Sequence, residues 1–266
     1  MRRLRALLVA ALTLAAGFMV APAAHASDGT YAALGDSYAV AVGSNTYDTP
    51  ATDCRRGPTS YPRLWAAQHP SYTFVEAACS GATTADVINT QIPQIPSNAT
   101  LVTVQVGGND VGFVDVLENC ILTISDSDCL SGVAQSEAAA QNVLPAALAQ
   151  TYAAIRAQAP NARVIVVGYP RLYTIGGDCG ILGLSDTERT ALNGAADVLA
   201  GVTATAAANA GFTFLDARPV FDPHSICSGN GEWLNSLDWS KIDESYHPTA
   251  TGYADGYLPA LDALTG

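Results

Sequence analysis

Five short apolar runs dictate most of what this chain can become. They lie at 31–34, 72–78, 101–106, 163–167 and 212–216, and each is bounded by Gly or Pro. Near-continuous apolar runs of this length read as strands buried on both faces, the habit of parallel sheets. Helical patterns lie between them at 61–69, 83–92, 138–159 and 186–209, and a further one at 249–264 closes the chain. Ser185 with Glu188 three residues on forms a capping box for the fourth of these, and Gly211 stands just past its end. Such alternation predicts an α/β three-layer sandwich with a parallel five-stranded sheet between the helices. Long connections are expected at 43–58, 119–133 and 222–243.

Residues 1–26 stand apart. Arg2, Arg3 and Arg5 precede an apolar run at 6–20, and Ala24-His25-Ala26 supplies the small residues of a cleavage site. The run is shorter than the roughly 20 residues of a spanning helix. The expectation is a secretory signal peptide at 1–26 and one domain at 27–266, secreted to the extracellular space with no stable membrane anchor.

Six cysteines follow: Cys54, Cys79, Cys120, Cys129, Cys179 and Cys227. An even count in an exported chain favours three disulfides, and the absence of a C-x-x-C pair argues against a metal cluster. The spacings alone leave the pairing open, with sequential pairing the simplest choice. Acidic residues outnumber basic ones by 24 to 12, for a net charge of −12, and Lys241 is the single lysine. No basic stripe is available for phosphates, so nucleic acid is excluded as a partner. Attraction to anionic lipid has no support either, so any lipid-directed activity must rest on apolar contacts. A monomer is expected.

In open α/β sheets, function collects at the carboxyl ends of the strands. Ser37, Gly81 and Asn109 follow three of the runs, and Glu244-Ser245-Tyr246-His247-Pro248 precedes the last helix. Singly, each has a plain reading: an N-cap serine, a turn glycine, an Asn-Asp turn, a capping histidine. Jointly they are the residue types of acyl transfer. A serine after a Gly-Asp turn can expose its hydroxyl at a helix start, and a histidine fixed by Pro248 can take its proton. The N–H groups of Ser37 and Gly81 and the Asn109 amide give three donors for an oxyanion. His25 leaves with the leader, while His69 and His224 read as surface residues. No phosphate loop, zinc-ligand helix or calcium loop appears, so neither cofactor nor metal is expected. A histidine base implies loss of activity on the acid side of about pH 6.5, shifted by its surroundings.

These blocks resemble the SGNH, or GDSL, hydrolase family. Leu34-Gly35-Asp36-Ser37-Tyr38, Cys79-Ser80-Gly81-Ala82-Thr83-Thr84, Val106-Gly107-Gly108-Asn109-Asp110 and Tyr246-His247-Pro248 with Gly252 occur in the family's order. Ala78-Cys79-Ser80-Gly81, Gly168-Tyr169-Pro170-Arg171 and Glu244-Ser245-Tyr246-His247-Pro248 further resemble extracellular lipases and phospholipases A1 of actinomycetes. The resemblance implies a flavodoxin-like sheet order and the SGNH hydrolase fold. It also implies a Ser37–His247 mechanism on an ester or lipid substrate, and the pairs Cys54–Cys79, Cys120–Cys129 and Cys179–Cys227. Two other readings are compatible with the scaffold, a polysaccharide deacetylase and a noncatalytic lipid- or carbohydrate-binding module. Two departures stand out. Glu244 occupies the place where the family commonly has Asp, which leaves either the Glu244 carboxylate or the Ser245 carbonyl to orient His247. The stretch Ala39-Val40-Ala41-Val42 is apolar where small polar residues are usual, and it reads as part of an acyl groove.

Overall fold

The structure, a computed structural model, describes residues 28–122, 125–180 and 183–266. The signal peptide expected at 1–26 lies outside the described residues. Five parallel strands form one sheet: β1 (Gly29–Gly35), β2 (Tyr72–Glu76), β3 (Leu101–Gln105), β4 (Arg163–Val167) and β5 (Thr213–Leu215). Their order, β2-β1-β3-β4-β5, is the flavodoxin-like one. Because the strands are buried on both sides, alternate residues of β1 feed two cores. Tyr31 and Ala33 pack on one face, while Ala32 and Leu34 pack on the other.

Helices α1 (Tyr61–Gln68), α2 (Thr84–Asp86), α3 (Phe113–Leu122), α4 (Asp126–Asn142), α5 (Leu144–Gln158), α6 (Asp186–Asn209), α7 (Arg218–Phe221) and α8 (Leu258–Thr265) cover the sheet. The expected Ser185 capping box is formed, with Ser185 Oγ accepting from the Glu188 N–H and the Glu188 carboxylate accepting from the Ser185 N–H. Two expectations need correction. The single helix expected at 138–159 is two helices, because Pro145 lacks the N–H that an unbroken helix would use there. The connection expected at 119–133 is largely helical, since α3 runs to Leu122 and α4 begins at Asp126. The many Ser and Asp residues at 125–131 mask a helix start, where acidic side chains favour the dipole.

Three disulfides join Cys54–Cys79, Cys120–Cys129 and Cys179–Cys227. The first ties the long 43–58 connection to the segment after β2, and the second clasps α3 to α4. Among the described residues, no helix is long and apolar enough to cross a membrane.

Candidate active site

Sheet register brings the site together. Gly35 at the end of β1 pairs with Gln105 at the end of β3, and Ala33 pairs with Glu76 of β2, so three loops leave the same edge side by side. Ser37 opens the first loop, Gly81 lies on the second and Asn109 on the third. Gly35 has φ +142°, and a Cβ there would stand 2.5 Å from the Gln105 carbonyl oxygen, so only glycine fits the sharp exit from β1. The buried Gln91 side chain brackets the same residue, accepting from the Gly35 N–H at 2.8 Å and donating to its carbonyl at 2.9 Å.

Ser37 does not begin an α-helix. It begins a single 3-10 turn, Ser37–Ala39, capped by Asp36, whose carboxylate accepts from the Tyr38 N–H at 3.0 Å. Tyr169 donates its hydroxyl to the same carboxylate and accepts from the Gly108 N–H at 3.4 Å. Burial pushes the Asp36 carboxyl up to about 7, against the lowering effect of the Tyr169 bond.

His247 arrives from the loop between the 3-10 turn Ile242–Glu244 and the closing helical segment. Its Nε2 is 2.8 Å from Ser37 Oγ, and its Nδ1 is 3.0 Å from the Ser245 carbonyl oxygen. The Glu244 carboxylate is engaged elsewhere. One oxygen accepts from the Gly43 N–H at 2.6 Å and from Tyr47, and the other from Arg55. Glu244 thus braces the loop after Ser37 against the loop carrying His247. The two loops touch closely: a Cβ on Gly43 would sit 2.5 Å from the Pro248 carbonyl oxygen and 2.7 Å from His247 Cβ. Tyr38 adds a second tie, donating to the Tyr246 carbonyl at 2.5 Å. Burial lowers the His247 ring to about 4 and outweighs the Ser245 carbonyl, which favours the protonated form; the Arg55 charge lowers it further.

The other two loops are clasped to each other. Asn109 donates one amide hydrogen to the Ala82 carbonyl at 3.0 Å. The neighbouring Asp110 carboxylate accepts from the Thr84 N–H at 3.0 Å and from the Thr84 hydroxyl. Gly81 has φ +78° and nothing within 4 Å of a Cβ position, so its requirement is conformational rather than spatial.

Ser37, Gly81, Asn109 and His247 all line one cavity of about 240 Å³. Its far wall is apolar, built from Phe113, Val114, Leu117 and Ile121 of α3 with Leu172 and Ile242. The expected acyl-groove segment is not part of it. Ala39, Val40, Ala41 and Val42 are fully buried in the core beneath the site, where their apolar character serves packing. The α3 wall was hidden in sequence because its start, Gly112-Phe113, follows directly on the asparagine loop with no separating strand. Among the described residues, no group of three or more His, Cys, Asp or Glu is placed to hold a metal ion.

Comparison with known proteins places the chain. The GDSL-like lipase/acylhydrolase family matches residues 33–254. Lipase 1 of Streptomyces coelicolor is 47% identical over 270 residues, covering 98% of this chain and 99% of that one. The crystal structure of phospholipase A1 from Streptomyces albidoflavus NA297 superposes with a TM-score of 0.85 at 47% identity, covering 88% of this chain and 98% of the other. The extracellular lipase of Streptomyces rimosus gives a TM-score of 0.85 at 46% identity, covering 89% and 100%.

Proposed function

Since this chain belongs to the GDSL-like lipase/acylhydrolase family, we propose that it is a secreted carboxylic ester hydrolase of the lipase or phospholipase A1 type, working through a Ser37–His247 dyad. The observation that carries this reading is the Ser37 Oγ to His247 Nε2 distance of 2.8 Å at the head of an apolar cavity. Neutral His247 takes the Ser37 proton as the oxygen attacks the ester carbonyl. The tetrahedral oxyanion is met by the N–H groups of Ser37 and Gly81 and by the free amide hydrogen of Asn109. The protonated ring gives its proton to the departing alcohol, leaving an acyl-enzyme. Water then attacks by the same route, and Ser37 is regenerated. The Ser245 carbonyl accepts from Nδ1–H throughout, which fixes the tautomer with Nε2 as the base.

The wall of Phe113, Leu117, Ile121 and Leu172 suits an acyl chain better than a sugar, which favours lipid-type esters over acetylated polysaccharide. The three disulfides and the family likeness to extracellular lipases support export.

A fluorophosphonate ester tests the reading. One equivalent is expected to bind, on the peptide containing Ser37, with total loss of hydrolysis of a fatty-acyl ester. Ser37→Ala is expected to be inert to the probe and to the substrate while keeping its circular dichroism. An unlabelled wild-type protein would identify a noncatalytic binding module instead.

A further inference from the structure

Exposed single hydrophobic residues are ordinary on a protein surface, but their clustering is informative. Among the described residues, six large hydrophobic side chains are exposed: Val114, Leu122, Val143, Ile175, Trp239 and Ile242. Two of them, Val114 and Ile242, line the catalytic cavity itself, from opposite segments of the chain. Two more share those segments. Leu122 is at the end of α3, and Trp239 lies three residues before Ile242.

On α3 the pattern is a stripe. Val114, Glu118 and Leu122 repeat at i, i+4 and i+8, so they share one edge of the helix. Phe113, Leu117 and Ile121, each one residue earlier, supply the adjoining row in the cavity wall. Leu122 and Trp239 are 65% and 64% exposed, so neither contributes appreciably to the core. Exposed apolar side chains therefore adjoin cavity-lining residues on both segments: Leu122 follows Ile121, and the N–H of Asp238, next to Trp239, donates to Ser245 Oγ at 2.9 Å.

We propose that this rim, Val114 and Leu122 on one flank and Trp239 and Ile242 on the other, is a docking surface for a zwitterionic lipid aggregate. The proposal rests on the lipase reading given above and extends it from the single ester to the surface that presents it. Adjacency to the cavity is the first argument, because a lipid surface held by these side chains would lie next to the residues that line the site. Charge is the second. Glu118, Asp243 and Arg55 line the cavity, Asp238 and Lys241 stand within two residues of Trp239, and the chain is acidic overall, at −12. Arg55 is already paired with Asp243 and Glu244. Such a surface is repelled by anionic headgroups and is free to approach phosphatidylcholine, held by apolar side chains alone. Trp239 is the residue type that settles at a lipid–water boundary.

The test uses the Ser37→Ala protein, which leaves lipid intact, in co-sedimentation with phosphatidylcholine vesicles. Parent protein is expected to sediment. Leu122→Ser and Trp239→Ser, neither of which lines the cavity, are each expected to weaken partitioning by roughly 10-fold. Val143→Ser, at an exposed hydrophobic residue on the junction of α4 and α5, is expected to bind like the parent. Phosphatidylglycerol vesicles are expected to bind more weakly than phosphatidylcholine. Equal binding of all variants, no binding of the parent, or a preference for the anionic vesicles would overturn the proposal. A second measurement separates this surface from the chemistry. With Ser37 intact, the double variant L122S/W239S is expected to hydrolyse a soluble short-chain ester within about 2-fold of wild type, while losing most of its rate on vesicles. An equal loss on both substrates assigns the residues to the cavity and overturns docking. Failure of the whole protein to hydrolyse any ester, with vesicle binding still lost in the variants, would sink the hydrolase reading and leave the docking surface standing.

Discussion

On one side of Ser37 the imidazole is hydrogen-bonded to the backbone, and on the other the loops bearing Gly81 and Asn109 are held by side chains. His247 Nδ1 faces the Ser245 carbonyl, two residues away on the same short loop. The nearby carboxylate of Glu244 is turned to Gly43, Tyr47 and Arg55 and makes no hydrogen bond to the ring, which feels only its charge and the brace it gives the loop. Across the cleft, Asn109 is steadied through its own amide on Ala82, and Asp110 closes the same gap on Thr84. A main-chain acceptor cannot be deleted by substitution, whereas a side-chain donor can. In the proposed mechanism, point mutations should therefore expose the oxyanion side and largely spare whatever orients the base.

The largest effect is expected where the reacting group itself is removed. His247→Ala should lower kcat for a soluble ester by about 10³ or more, with the fold intact by circular dichroism. Retention of a tenth of the activity would remove His247 from the mechanism. Asn109→Ala comes next. It should lower kcat by roughly 10²–10³ with a smaller change in KM, since its donor matters most when charge develops on the oxygen. A change confined to KM would make Asn109 a substrate-binding residue and undo the contrast between the two sides.

The pH dependence sharpens the comparison without any mutation. The ring must be neutral to accept the Ser37 proton, so activity is present above the His247 pKa and falls as pH drops through it. Burial places that value at about 4, and a neutral carbonyl on Nδ1 offers less support to the protonated ring than a carboxylate would. The kcat/KM profile for a soluble ester is therefore expected to stay level from pH 8 to near pH 5 and to fall below that. An acid limb near the ordinary histidine value of about 6.5 would mean that the ring is better solvated or faces a negative charge.

These assignments divide by what a linear sequence can display. The meeting of Ser37, Gly81 and Asn109 at one cavity was readable because each follows an apolar strand and parallel strands end at one edge. The placement of His247 beside Ser37 was suggested by the Pro248 and helical pattern that follow it. The sheet order came from the family resemblance, since alternation alone fits more than one winding. Partner choice was not readable. Glu244 stands three residues before His247, at an offset that suggests contact with the ring, yet only folding brings Gly43, Tyr47 and Arg55 to its carboxylate. Asp110 looks like half of an Asn-Asp turn until Thr84 is placed opposite it. Likewise 39–42 has the composition of a groove wall and the position of a core. Apolar character announces burial, but whether the burying surface is protein or substrate depends on contacts made far along the chain.

The sharpest single measurement is the kcat of Glu244→Ala beside that of His247→Ala on the same soluble ester. A dyad oriented by the Ser245 carbonyl predicts a loss below about 100-fold for Glu244→Ala, arising from a loosened brace on Gly43, against about 10³ or more for His247→Ala. If the two variants are equally damaged while both remain folded, a carboxylate third member is at work and the backbone-oriented dyad is wrong.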